Sequence, residues 1–228
     1  MPRDHLVQEI PQPTAALEDV VLTPRLELGG QVSSEKLTGI ISLGRPEFIP
    51  IRPREIKDEE LRKFIEHEAR TSRFVLIHIV VSFHPTPQLI EKAVVGLSLS
   101  NADGNSKPPP IAWSLWPTKM NSTSSSTGKI GFRADLKILS YEATQESQSS
   151  LDRPFLVAVG ERESDPEWQF TGSKQRPLVG IYPMSAVIQA PISGRVRAGL
   201  LLAATLRGRL GFVRYRADLA HDYSHLEF

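Results

Sequence analysis

The chain has 228 residues and a mass of 25.4 kDa, enough for one large or two small domains with a core of their own. With 40% hydrophobic and 23% charged residues it has the composition of an ordinary globular protein, which excludes wholesale disorder, a collagen repeat or a long coiled coil. The absence of cysteine excludes thiol nucleophiles, disulfide frameworks and zinc sites built on Cys, and the net charge of +1 excludes a uniformly acidic or basic surface.

The opening residues, from Met1 to Ile10, lack the apolar stretch of a secretory signal, and Asp4 and Glu9 do not suit a mitochondrial presequence, so the expected location is the cytoplasm. Pro11, Pro13, Pro24, Gly29, Gly30, Gly44, Pro46, Pro50 and Pro53 then interrupt every period before a long element forms. Residues 1–55 therefore read as an extended arm, in which Val20–Leu22 and Leu37–Leu43 could add edge strands. Residues 56–73 read as a short helix and connector: Leu61, Phe64, Ile65 and Ala69 recur at helical spacing, and Asp58, Glu59 and Glu60 fill the first turn.

From Phe74 the period becomes two. Val75, Ile77, Ile79, Val81 and Phe83 fall on one face, with His78 and Ser82 opposite. Ala93–Ser100 and Lys129–Lys137 repeat the alternation, the latter with Lys129, Arg133, Asp135 and Lys137 on its wet face. Ile111–Trp116, Phe155–Val159, Trp168–Phe170, Leu178–Tyr182 and Met184–Ala190 read as further short strands between Pro-, Gly- and Asn-rich loops. Arg195–Arg207 fits a helix or a strand; the strand is preferred, with a turn near Gly208–Leu210 and a return strand Gly211–Leu219. Residues 220–228 read as a frayed tail. Strands without intervening helices imply an all-β fold, an antiparallel β-sandwich of about eight or nine strands over residues 74–219, preceded by the short helix and the N-terminal arm.

Chemistry-bearing motifs are sparse. No phosphate-cradling glycine loop and no Gly-x-Ser-x-Gly elbow occur, and Ser122–Ser126 has the composition of a flexible loop. His221 and His225 stand four apart, a ligand-like spacing, but without the glutamate beside the first histidine that a zinc-protease helix carries, so no metal or other cofactor is expected. Glu161 and Glu163 would share a strand face, yet they lead into a charged loop and nothing specifies a cleft. His78 and His84 are the remaining candidates for an undeclared hydrolytic site.

Charge carries the clearest signal. Glu142–Glu167 holds seven acids and two bases, whereas Trp168–Ala217 holds eight bases and no acid. Folded as a hairpin, that block presents Arg195, Arg197, Arg207, Arg209, Arg214 and Arg216 on its polar side. The leading expectation is a non-enzymatic interaction, adaptor or assembly module whose basic face binds another protein with an acidic surface, with homo-oligomerisation as a further form of assembly. The alternative is a membrane-active or pore-forming protein, since Val196–Leu206 has the length of a membrane strand and is apolar on both faces from Gly199 to Ala204. Phe212 and Tyr215 among Arg209, Arg214 and Arg216 give only a thin version of a nucleic-acid surface, which is disfavoured.

Overall fold

A computed structural model describes residues 16–25, 35–56, 59–103, 108–121, 154–208, 211–224 and 226–228. Fourteen strands in this part of the chain form two antiparallel sheets of six and eight strands, an all-β sandwich with one helix of substantial length. The expected strand Lys129–Lys137 lies outside the described residues.

The proline-rich N-terminal segment is incorporated in the sandwich, which is why the strands outnumber the eight or nine expected. It supplies β1 (Leu17–Asp19), β2 (Val21–Pro24), β3 (Ile41–Gly44) and β4 (Glu47–Pro50), each short enough to fit between two of its breakers. The chain crosses from one sheet to the other between β1, which pairs with β3, and β2, which belongs to the eight-stranded sheet; Val20 is buried at the crossing.

Next comes α1 (Glu59–Glu68), whose Leu61 and Ile65 pack on Phe74, Leu76, Trp113 and Val187. Phe64 stacks on Trp113 with ring centroids 5.6 Å apart, and the Arg162 guanidinium lies 4.8 Å from the same ring centroid. The helix thus covers part of the outer face of the six-stranded sheet. Its central strand, β5 (Ser72–Phe83), therefore has no wet face: every residue from Phe74 to Phe83 is buried. His78 and Ser82, on the face opposite the apolar stripe as expected, are buried there too, and His78 is hydrogen-bonded to Ser185.

The remaining strands are β6 (Leu89–Asn101), β7 (Ile111–Trp116), β8 (Lys119–Met120), β9 (Leu156–Val159), β10 (Glu167–Thr171), β11 (Gly180–Pro191), β12 (Val196–Gly208) and β13 (Gly211–Asp218). The pieces expected at 178–182 and 184–190 join as β11. Pro183 is accommodated because it lies past the end of β7, where β11 has a neighbouring strand on one side only. The ambiguous segment at 195–207 is a strand, as its alternation requires once Leu200, Leu202, Ala204 and Leu206 have a core to enter.

That core is continuous between the sheets. Ile77, Ile79, Val81 and Phe83 of β5 and Met184, Ala186 and Ile188 of β11 belong to one buried cluster with Val95, Leu97 and Leu99 of β6 and the inward residues of β12. At about 25 cal/mol per Å² of apolar surface removed from water, this cluster is the dominant stabilising contribution. Tyr182 is an aromatic hub within it, with ring centroids 5.4 to 5.7 Å from Phe83, Phe155 and Phe170; burial raises its phenol pKa.

The C-terminal residues are docked, not frayed. They form α2 (His221–Ser224) and β14 (Leu226–Glu227), which pairs with β12. Tyr223 enters the core, and the Val196 and Phe228 main chains exchange hydrogen bonds of 3.0 and 3.1 Å.

Candidate functional site

The register of the eight-stranded sheet decides which charged residues meet. β12 pairs with β6 along one edge and with β13 along the other, and β13 in turn pairs with β2. On β12 the odd-numbered residues Arg197, Gly199, Leu201, Ala203, Thr205 and Arg207 occupy the outer face, opposite the buried even-numbered set. Arg216 stands opposite Ala203, Arg214 opposite Thr205, and Phe212 opposite Arg207.

The hairpin arginines therefore form two groups. Arg197 and Arg207 are ten residues apart on one strand, about 33 Å at the rise of an extended chain. At the first end Arg195 and Arg197 are occupied: Arg195 pairs with Asp103 at 3.5 Å and Glu227 at 3.3 Å, and Arg197 pairs with Glu227 at 3.2 Å. The acids come from the β6–β7 connection and from β14, beyond the acid-free block in sequence but beside it in space. At the other end Arg207, Arg214 and Arg216 are exposed together. Arg209 and His225 lie outside the described residues.

A fourth cation completes the second group. Lys92 of β6 stands opposite Thr205, so Arg214, Thr205 and Lys92 form one row across three strands, with Cα atoms of the outer two about 10 Å apart. Nothing local to Lys92 marks it; only the alternation that buries Ala93 and Val95 places it outward, and only the register brings it to the arginines. Like charges this close are mutually unfavourable, by tenths of a kcal/mol each at an exposed site. No ladder pairing requires this charge, so it is a property of the surface.

Apolar area is interleaved with the cations. Phe212 is 56% exposed and Leu201 is 44% exposed. The Arg207 guanidinium sits 5.4 Å from the Phe212 ring centroid, so cation and ring present one combined surface. Next to Arg216, Asp218 accepts a 2.6 Å hydrogen bond from Thr23 and a 3.4 Å ion pair from Lys36; the Thr23 hydroxyl foremost, and then Lys36, hold its carboxyl below the ordinary range.

The polar residues on the six-stranded sheet form two separate arrangements. Ser42 Oγ lies 2.6 Å from both Asp19 Oδ1 and His84 Nε2. The serine has one proton and donates it to the carboxylate, so the histidine nitrogen must donate to the serine. A nucleophilic triad needs the opposite order, with histidine between serine and acid. The second arrangement is the cross-strand row Glu47–His78–Ser185, in which His78 Nδ1 is 3.0 Å from Ser185 Oγ and Nε2 has no hydrogen-bond partner. Burial lowers the His78 pKa, with the Glu47 carboxylate acting in the other direction. His78 is 2% exposed and Ser185 1%, so neither meets a substrate in this conformation.

Glu161 and Glu163 are exposed on the turn between β9 and β10, where Glu163 serves through its main-chain oxygen, accepting from Ala112 N–H at 2.8 Å. His221 is exposed at the start of α2, and among the described residues no three His, Asp or Glu side chains assemble as a metal site. No helix among the described residues is long and apolar enough to cross a membrane. No protein-family model matches the chain, and no curated protein matches it.

Proposed function

We propose that this protein is a non-enzymatic interaction module that docks an acidic protein surface on the outer face of β12, β13 and β6. The observation that carries the reading is that Lys92, Arg207, Arg214 and Arg216 share one sheet face with the exposed ring of Phe212, which Arg207 overlies. Protein interfaces combine an aromatic or arginine anchor with a polar rim, and surface charge of one sign accelerates encounter with a partner of the other. Here the anchor and three of the four cations belong to the β12–β13 pair, and Lys92 joins them from β6. Arg195 and Arg197 do not join this face; they pair with Glu227 of β14 and, for Arg195, with Asp103 of the β6–β7 connection.

A photo-crosslinking residue at Phe212 tests the reading in cells that express the protein. The expected product is an adduct with an acidic protein, lost in the double variant Arg207→Glu/Arg214→Glu and absent when the same photo-residue replaces Ile181, which is 63% exposed in the other sheet. Thermal stability of the double variant should match that of the wild type within about 0.5 kcal/mol, because both side chains are exposed. An adduct with lipid or nucleic acid, or equal labelling from position 181, would replace this reading.

A further inference from the structure

Strand β12 is paired along its length on one side only, with a single register shift between Thr205 and Leu206. β6 accompanies it from Val196 to Arg207. On the opposite side β13 covers Ala203–Gly208 and β14 covers Arg197 and Ala198, and residues 199–202 have no strand across from them. β13 does not end there: Ala217 and Asp218 continue along β2, so β12 and β13 separate as a fork.

Main-chain direction at the fork follows from the hydrogen bonds of Val196, which exchanges both of its bonds with Phe228. Peptide groups alternate sides along a strand, so the even-numbered residues of β12 direct N–H and C=O toward the fork. Leu200 lies in the middle of the gap. Its peptide group offers one donor and one acceptor with no strand opposite, and the short helix α2, which links β13 to β14, packs against β12.

A cavity of about 550 Å³ opens at this place. Ser98, Ser100 and the side-chain-free Gly199 form its floor, and Leu201 and Leu219 contribute apolar walls. Two guanidinium groups border it. That of Arg197 is held by Glu227, whereas Arg216 makes no side-chain hydrogen bond or ion pair among the described residues. Asp218 on the rim is served by Thr23 and Lys36, and the Arg216 charge acts on it as well.

We infer that the fork is a binding site for an α-carboxylate that carries an acylated amino group and an apolar side chain, the chemistry shared by the last residue of a peptide and by an N-acyl amino acid. The carboxylate accepts from the planar guanidinium of Arg216, which suits two parallel hydrogen bonds. The neighbouring amide N–H and acyl C=O complement the C=O and N–H of Leu200, as one residue of an added strand would. The side chain rests against Leu201 and Leu219. The cavity volume is within the range of small-ligand sites. This site shares Arg216 with the docking face but requires neither Arg207 nor Phe212, so Arg207→Gln separates the two.

The probes are N-acetyl-L-leucine, a six-residue peptide ending in leucine with a free carboxylate, and the amide-capped form of each. Binding to the full chain is followed through the NMR amide shifts of residues 199–202 and 219. The free acids should shift these amides, and capping or Arg216→Gln should weaken binding at least about tenfold, the scale of a lost charge-assisted contact. Arg207→Gln should leave it unchanged. A peptide that binds more tightly than N-acetyl-L-leucine identifies a protein C-terminus as the source; equal affinity identifies the free acyl amino acid. The inference is overturned if residues 199–202 do not shift, if capping makes no difference, or if Arg207→Gln weakens binding as much as Arg216→Gln.

Discussion

Acidification should expose the buried histidine of β5. His78 is 2% exposed, one ring nitrogen is spent on Ser185 at 3.0 Å, and the other has no partner that could welcome a proton. Burial therefore holds its folded pKa below the ordinary 6.5, against a smaller opposing pull from Glu47. Above pH 6.5 the ring is neutral in folded and unfolded chains alike, and its contribution to stability is fully present. Below that value the unfolded chain takes up a proton that the folded chain refuses, so stability falls as the pH drops toward the folded pKa. The slope approaches about 1.4 kcal/mol per pH unit for one such group. Urea denaturation of the wild type and of His78→Gln, at steps from about pH 8 to pH 5, isolates this contribution from every other titrating group. The stability gap between the two proteins should narrow across the acid half of that range, by no more than about 1.4 kcal/mol per pH unit. Parallel curves would refute the argument. So would a gap that widens on acidification, because that requires a histidine charged inside the fold.

Three other substitutions test the architecture by denaturant midpoint. Gly172→Ala should destabilise by about 2 kcal/mol or more, since an added Cβ would overlap the main-chain oxygen of Ile90 and press on Leu178 3.1 Å away; a loss under about 0.5 kcal/mol would mean that β6 can shift there. Ile65→Ala should cost about 2–4 kcal/mol and accelerate hydrogen exchange in α1, because this side chain anchors the helix to the six-stranded sheet. Glu227→Gln, which weakens the exposed pairs with Arg195 and Arg197, should change stability by under about 1 kcal/mol; a larger loss would show that these pairs hold β14 in place.

The long strands were legible because their alternation is both regular and enforced by one continuous core. β5, β6, β12 and β13 each show the period of two, and in β12 the even-numbered set at Leu200, Leu202, Ala204 and Leu206 is what enters the sandwich. Of the four N-terminal strands, β2 and β3 overlap the expected pieces Val20–Leu22 and Leu37–Leu43, whereas β1 and β4 left little trace, all being three or four residues long and stabilised by partners elsewhere in the sequence, such as Tyr215 for Pro24. The burial of His78 was hidden for a similar reason: it depends on neighbours across the outer sheet face, and a single strand does not reveal those. The arginine block was visible as composition, but its division was not. Glu227 and Asp103, which neutralise one end, and Lys92, which extends the other, are brought there by pairing register alone.

The pairing of β2 with β13 sets a schedule for the nascent protein. Thr23 and its partner Asp218 are 195 residues apart, so at about 5–20 residues per second the ribosome needs roughly 10 to 40 seconds to make the second after the first. Throughout that interval β2 has no place in its sheet. A holding chaperone, or the masking of this edge by a transient partner, would matter most during this wait, and slowing synthesis anywhere between residues 24 and 218 would prolong it.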